Sequence, residues 1–179
     1  MRFPLRPRRS TPFSDLLLGL AIAAAFLSAT AVLSIAEDKV DTTHIENDRQ
    51  ALLHMHETVL AAHRNNDLDS WMQDETDTYV MVNRGEVLHP DKDARRARLG
   101  PYLNSTTFHK YADLIEPQVR LSDDGSLGWV IAQVQIVGTR SMPDGSNIDF
   151  DDTWAWIELY EKQEGHWLRI GNVSNHKPE

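Results

Sequence analysis

The apolar periodicity of this chain changes once, near residue 106, and that change limits the fold more than any other feature. Before it, Ile45, Leu52, His56, Val59 and His63 fall on one stripe at 100° per residue, flanked by Leu53, Met55 and Leu60. After it the period is two: Val130, Ala132, Val134 and Ile136 form one wholly apolar face of a strand over 128–138. Helices followed by strands predict an α+β domain, three helices followed by a curled antiparallel sheet.

Local signals place the elements. Thr43-His44-Ile45-Glu46 fits a capping box, which starts the first helix at Thr43 and runs it to Asn65-Asn66. A short second helix begins near Asp67 and turns Leu68, Trp71 and Met72 inward. Tyr79 to Val82 reads as a strand, 83–86 as a turn and Val87-Leu88 as the return. Pro90 opens a third helix through Arg98, with acids early and arginines late to complement its dipole, and Gly100-Pro101 ends or kinks it. Residues 106–122 are extended with a bend at Glu116-Pro117, because proline cannot donate to a ladder. Turns at 123–125, 143–146 and 164–165 then separate strands over 128–138, 150–162 and 167–174.

The first 36 residues are of another kind. Arg2, Arg6, Arg8 and Arg9 precede the unbroken apolar run Leu16 to Leu27, and Ser34-Ile35-Ala36 offers a small-x-small cleavage site before Glu37. Residues 1–36 are read as a signal peptide or, uncleaved, as an N-terminal membrane anchor through 16–36. Both alternatives put the remainder outside the cytoplasm, periplasmic or secreted. Residues 37–44 are a spacer and 45–176 the domain.

Without the four arginines and Asp15 of that segment, residues 37–179 hold 14 basic and 26 acidic side chains, a net charge of −12. Such a domain is repelled by phosphate backbones and anionic lipid heads, so nucleic acid is excluded as a partner, and the membrane enters only through an uncleaved N-terminus. The absence of cysteine excludes disulfides, thiolate metal sites and cysteine nucleophiles. No zinc pattern exists, since His56 and His63 at i, i+7 are too far apart to share a metal.

Several stretches carry a resemblance. They are Ala61-Ala62-His63-Arg64-Asn65-Asn66-Asp67-Leu68-Asp69, Gly128-Trp129-Val130, and Trp156-Ile157-Glu158-Leu159-Tyr160-Glu161-Lys162 followed by Gly165-His166-Trp167-Leu168. Together with the element order, they resemble the nuclear transport factor 2-like (NTF2-like) superfamily, in its SnoaL-like and DUF4440 branches, over about 45–176. The resemblance implies a cone of bent sheet around helices with a pocket at its open end. It also implies either cofactor-free isomerase, dehydratase or cyclase chemistry, or a non-catalytic binding or protein-interaction module. Aligned on ketosteroid isomerase through 67–72, the base position falls at Asn83 and the tyrosine position near Val59. Neither side chain performs those roles, which argues against that mechanism.

The candidate site residues follow from strand alternation and the helical stripe. His109, Tyr111 and Asp113 alternate on one strand; facing a cavity, His109 is a general base with Asp113 fixing its tautomer, and the competing reading is a solvated edge. His56 sits at the centre of the first helix's stripe, as a buried histidine with one satisfied hydrogen bond or as a pocket contact. Trp154, Trp156, Glu158 and Tyr160 share a face, as do Trp129, Gln133 and Gln135, giving aromatic and amide groups suited to an apolar or ring-bearing small molecule. The alternative for these tryptophans is an outer sheet face or a homodimer interface. Tyr79 and Asn172 complete the pocket set; Asn172 shares a face of the last strand with Ser174 and His176, which either orients a ligand or belongs to a fraying C-terminus.

Overall fold

The computed structural model describes residues 43–177. The segment read as a signal peptide or anchor, and spacer residues 37–42, lie outside the described residues. Thr43 and His44, read as spacer and cap, are already helical. Glu46 accepts from Gln50 Nε2, one turn along the same helix.

Helix α1 covers 43–64, and its predicted stripe is its buried face. Leu52, His56, Val59 and His63 are buried together with Leu60 and Ala62, whereas Ile45, at the outer end of the stripe, is exposed. Helix α2 (Leu68–Met72) is capped by Asp67, whose carboxylate accepts from the Ser70 amide. Helix α3 (Lys92–Asn104) is capped in the same way by Asp91. It continues through Gly100-Pro101, where the sequence predicts an end or kink. Leu99 and Leu103, one turn apart on either side of Pro101, are both buried, and their packing offsets the amide bond that proline forfeits.

Seven strands form one sheet: β1 (Glu75–Asn83), β2 (Glu86–Leu88), β3 (Thr106–Asp113), β4 (Gln118–Leu121), β5 (Leu127–Ser141), β6 (Asn147–Gln163) and β7 (His166–His176). Their order is β2-β1-β7-β6-β5-β3, with β4 also on β5. The sheet is mixed, since β1 runs parallel to β7 and every other pairing is antiparallel. A parallel pair needs a long connection, and here α3 lies within it.

The α1 helix packs into the hollow of the sheet. Leu60 joins Tyr111, Ala132, Val134, Ile136 and Trp156 in one core cluster. Leu52 joins Val119, Val130, Tyr160 and Trp167 in a second. The apolar face predicted on β5 is therefore the face that meets the helix.

Candidate functional site

The site is built where α1 crosses β6 and β7. Strand β6 turns alternate residues inward, so Trp156, Glu158 and Tyr160 are buried in succession. On β7, Trp167 and Arg169 point inward, and the register then shifts beside Leu159 and Tyr160. Such a bulge resets the alternation. Asn172, Ser174 and His176 consequently pair with Glu158, Trp156 and Trp154 and face the same hollow.

Six charged side chains of alternating sign run through this interior: Asp113, His56, Glu158, Arg169, Glu75 and Arg95. His56 Nε2 lies 3.1 Å from Asp113 Oδ1, and its Nδ1 lies 3.3 Å from Glu158 Oε2. Arg169 donates to Glu158 Oε1 at 2.9 Å and also to Glu75. Arg95 grips Glu75 with two bonds of 2.6 and 2.7 Å and lies 3.7 Å over the Tyr79 ring. The Tyr160 hydroxyl adds a 2.8 Å bond to Glu158. All but Asp113 are buried.

Burial is the largest single influence on His56 and favours its neutral form. The hydrogen bonds and charges of Asp113 and Glu158 outweigh it and raise the pKa to about 9. His56 is thus an imidazolium donating from both nitrogens. For Glu158, burial acts to raise the pKa but is outweighed by the His56 bond and the Arg169 charge, which hold it at about 2. The chain of charges is self-neutralising.

His63, two turns along α1, is the opposite case. Burial lowers its pKa to about 4, so it is neutral. Its Nδ1 lies 2.7 Å from the Val59 carbonyl, which can only accept; the proton therefore sits on Nδ1, and Nε2 keeps a bare lone pair. The ring stacks on Tyr111 at 4.2 Å and leans on Trp71 at 3.8 Å.

Above these groups lies a cavity of about 670 Å³. Trp71, Tyr79, Tyr102, Tyr111, Phe150, Trp154 and Trp156 give it an aromatic wall, with His63, Glu158, Arg169 and Asn172 among its polar groups. Burial pushes the Tyr79 and Tyr102 hydroxyls up to about 12, so both are protonated at neutral pH. The indole Nε1 of Trp156 is sealed off from the cavity and has no hydrogen-bond partner among the described residues.

The structure separates the residues singled out from the sequence. Tyr79, Tyr111, Trp154, Trp156 and Asn172 line the cavity. Trp129 and Gln133 occupy the alternate, half-buried positions of β5, opposite in phase to the core face of Val130, Ala132 and Val134, and do not line it. His56 lies beneath the wall, 6.2 Å from the Trp156 ring, held by two carboxylates where the sequence suggested one hydrogen bond.

The proposed His109–Asp113 pair is not assembled. His109 is exposed and bonds Thr139 Oγ1 at 2.9 Å, while Asp113 serves His56. The cause is a register shift between Phe108 and Lys110. The extra residue there leaves His109 and Lys110 both exposed and turns Tyr111 inward, so His109 and Tyr111 do not share a face.

Local spacing does not mark Glu75, Arg95, Arg98 or Arg140 as interior or cavity residues. For Arg169 a signal existed, because it sits in phase with inward-facing Trp167. Arg95 looked like a helix-dipole arginine, and nothing local distinguishes it from its neighbour Arg96.

No family model matches the chain, and no curated protein does. Solved structures do match its fold. An NTF2-like protein from Cytophaga hutchinsonii aligns with a TM-score of 0.57 at 18% identity, over 72% of this chain and 98% of its own. A ketosteroid isomerase-like protein from Erwinia carotovora atroseptica aligns at 0.58 and 14% identity, over 73% and 96%. An NTF2-like protein of unknown function in nutrient uptake from Rhodospirillum rubrum aligns at 0.55 and 18% identity, over 71% and 98%. The fold is that of NTF2-like proteins, as the resemblance implied.

Proposed function

We propose that this domain is a binding module that holds one ring-bearing small molecule in its aromatic cavity. The observation that carries the reading is the 670 Å³ hollow itself, with seven aromatic side chains in its wall. The volume falls within the roughly 300–1,000 Å³ of small-molecule sites. Aromatic faces supply apolar contact, while Asn172, Ser174 and the His63 lone pair supply polar handles.

Binding is favoured over isomerase-, dehydratase- or cyclase-type acid/base chemistry by the fate of the groups that chemistry would use. His109 faces away from the cavity, His56 is locked between carboxylates, and His63 is held neutral down to about pH 4. Asn83 and Val59 line the cavity but carry neither an acid nor a phenol. The reading also includes export, supported by the basic start and apolar run of residues 1–36, and pairing of two copies through the sheet.

Thermal unfolding of the protein with a panel of apolar ring compounds tests the proposal. A binder at a hundredfold excess over its Kd raises stability by about 2.7 kcal/mol. A panel without any shift would overturn it.

A further inference from the structure

The mouth of the cavity carries charges that the binding reading leaves unused. Arg84, Arg98 and Arg140 line it from three separate elements, the β1–β2 turn, α3 and β5. None has a carboxylate within 4 Å among the described residues, although acids outnumber lysines and arginines 27 to 18 in the chain. Where carboxylates are abundant, three arginines of one cavity left without ion pairs give it unmatched positive charge.

Arg140 is held over the aromatic wall. The Arg140 guanidinium lies 5.1 Å from the Tyr102 ring centroid and 5.6 Å from that of Phe150. Arg98 contacts Met81 Sδ, and the same sulfur also takes a bond from Arg95. Neither contact neutralises the charge. The wall also contains Glu86 and Asp152, which make no ion pair among the described residues, and Glu158, which is already matched by Arg169 and His56. With Arg95 and Arg169 consumed inside the buried network, the mouth retains three cations against two anions.

We propose that the cavity selects an anionic ring compound, with its ring between the aromatic walls and a carboxylate at the mouth on Arg98 and Arg140. This rests on the binding reading and adds the charge and the orientation of the occupant. A guanidinium presents two parallel N–H donors that match a carboxylate's oxygens and stacks on aromatic faces, which is the pairing found here.

Two probes of equal shape separate the claims: 2-naphthoate and naphthalene-2-methanol, titrated calorimetrically into the full-length protein. The carboxylate is expected to bind about tenfold more tightly, as one charge-assisted bond provides. That advantage should shrink in high salt and disappear in the Arg98→Gln/Arg140→Gln variant, while Arg140→Lys retains part of it. Equal binding of both probes would overturn the anion selectivity and leave the binding reading standing. Failure of both to bind would overturn the two together. Arg98 and Arg140 are exposed, so their substitution leaves the core intact; should the double variant not fold, the single variants give the same comparison.

Discussion

The imidazole of His56 on α1 lies 3.1 Å from Asp113 at the end of β3, 57 residues away in sequence, and this contact ties the first helix to the far edge of the sheet. With Glu158 on the other nitrogen, it makes His56 the cationic centre of a buried chain of charges. Four consequences of this arrangement and of the cavity beside it are open to measurement.

Stability should peak near pH 6.5. The folded pKa of His56, about 9, lies above its ordinary 6.5, so its contribution is complete below pH 6.5 and is lost as pH rises to 9. The folded pKa of His63, about 4, lies below the ordinary value, so its contribution is complete above pH 6.5 and is lost as pH falls to 4. Each limb amounts to roughly 3 kcal/mol at its full extent. Urea midpoints across pH 4 to 9 should form a dome, with His56→Gln flattening the alkaline limb and His63→Gln the acid one. A midpoint that climbs steadily from pH 6.5 to 9 would show that His56 is not held as a cation.

Two ion pairs of equal length should differ sharply in worth. Arg95–Glu75 and Arg96–Asp69 both measure 2.6 Å, but the first is buried and the second exposed. Glu75→Gln strips Arg95 and Arg169 of a counter-charge and should cost about 3–5 kcal/mol, as for breaking a buried pair. Arg96→Ala should cost about 0–1 kcal/mol. Comparable losses in chemical denaturation would mean that the interior charges are solvated.

Trp156→Phe should be mild for both stability and binding. It removes the unpartnered N–H along with part of the ring's packing, two opposing effects that leave unfolding within about 1 kcal/mol of the parent. The N–H is sealed off from the cavity, so affinity for an oxygen-bearing ring compound should change by less than about threefold. A loss of about tenfold would show that the N–H opens onto the cavity.

The bulge at His109 yields a pair of contrasting variants. Gly138 pairs with Phe108 beside it, and a Cβ there would come within 2.7 Å of the Thr107 carbonyl and of the Phe150 ring. Gly138→Ala should therefore cost about 1–3 kcal/mol. His109→Ala, at an exposed position, should change stability by no more than about 0.5 kcal/mol and leave ligand binding unaltered. Loss of binding in His109→Ala would restore that residue to the site.

The part of this fold legible in the residues alone was periodic. The stripe Leu52, His56, Val59 and His63, the apolar face of β5 and the aromatic face Trp154, Trp156, Glu158 and Tyr160 each depend on a repeat along one element, which neighbouring residues impose on one another. Where a strand bulges, that inference fails: one extra residue at His109 turned a predicted triad into an outward histidine and an inward tyrosine. The partners of His56 were decided only by the tertiary structure. Asp113 and Glu158 stand 57 and 102 residues from it, and a carboxylate's effect depends on distance in space and on exclusion of water, neither of which is written in local spacing. The same holds for Arg95 and Arg96, adjacent in the chain and alike in chemistry. The direction in which α3 turns each of them makes one a buried counter-ion and the other a solvated surface charge.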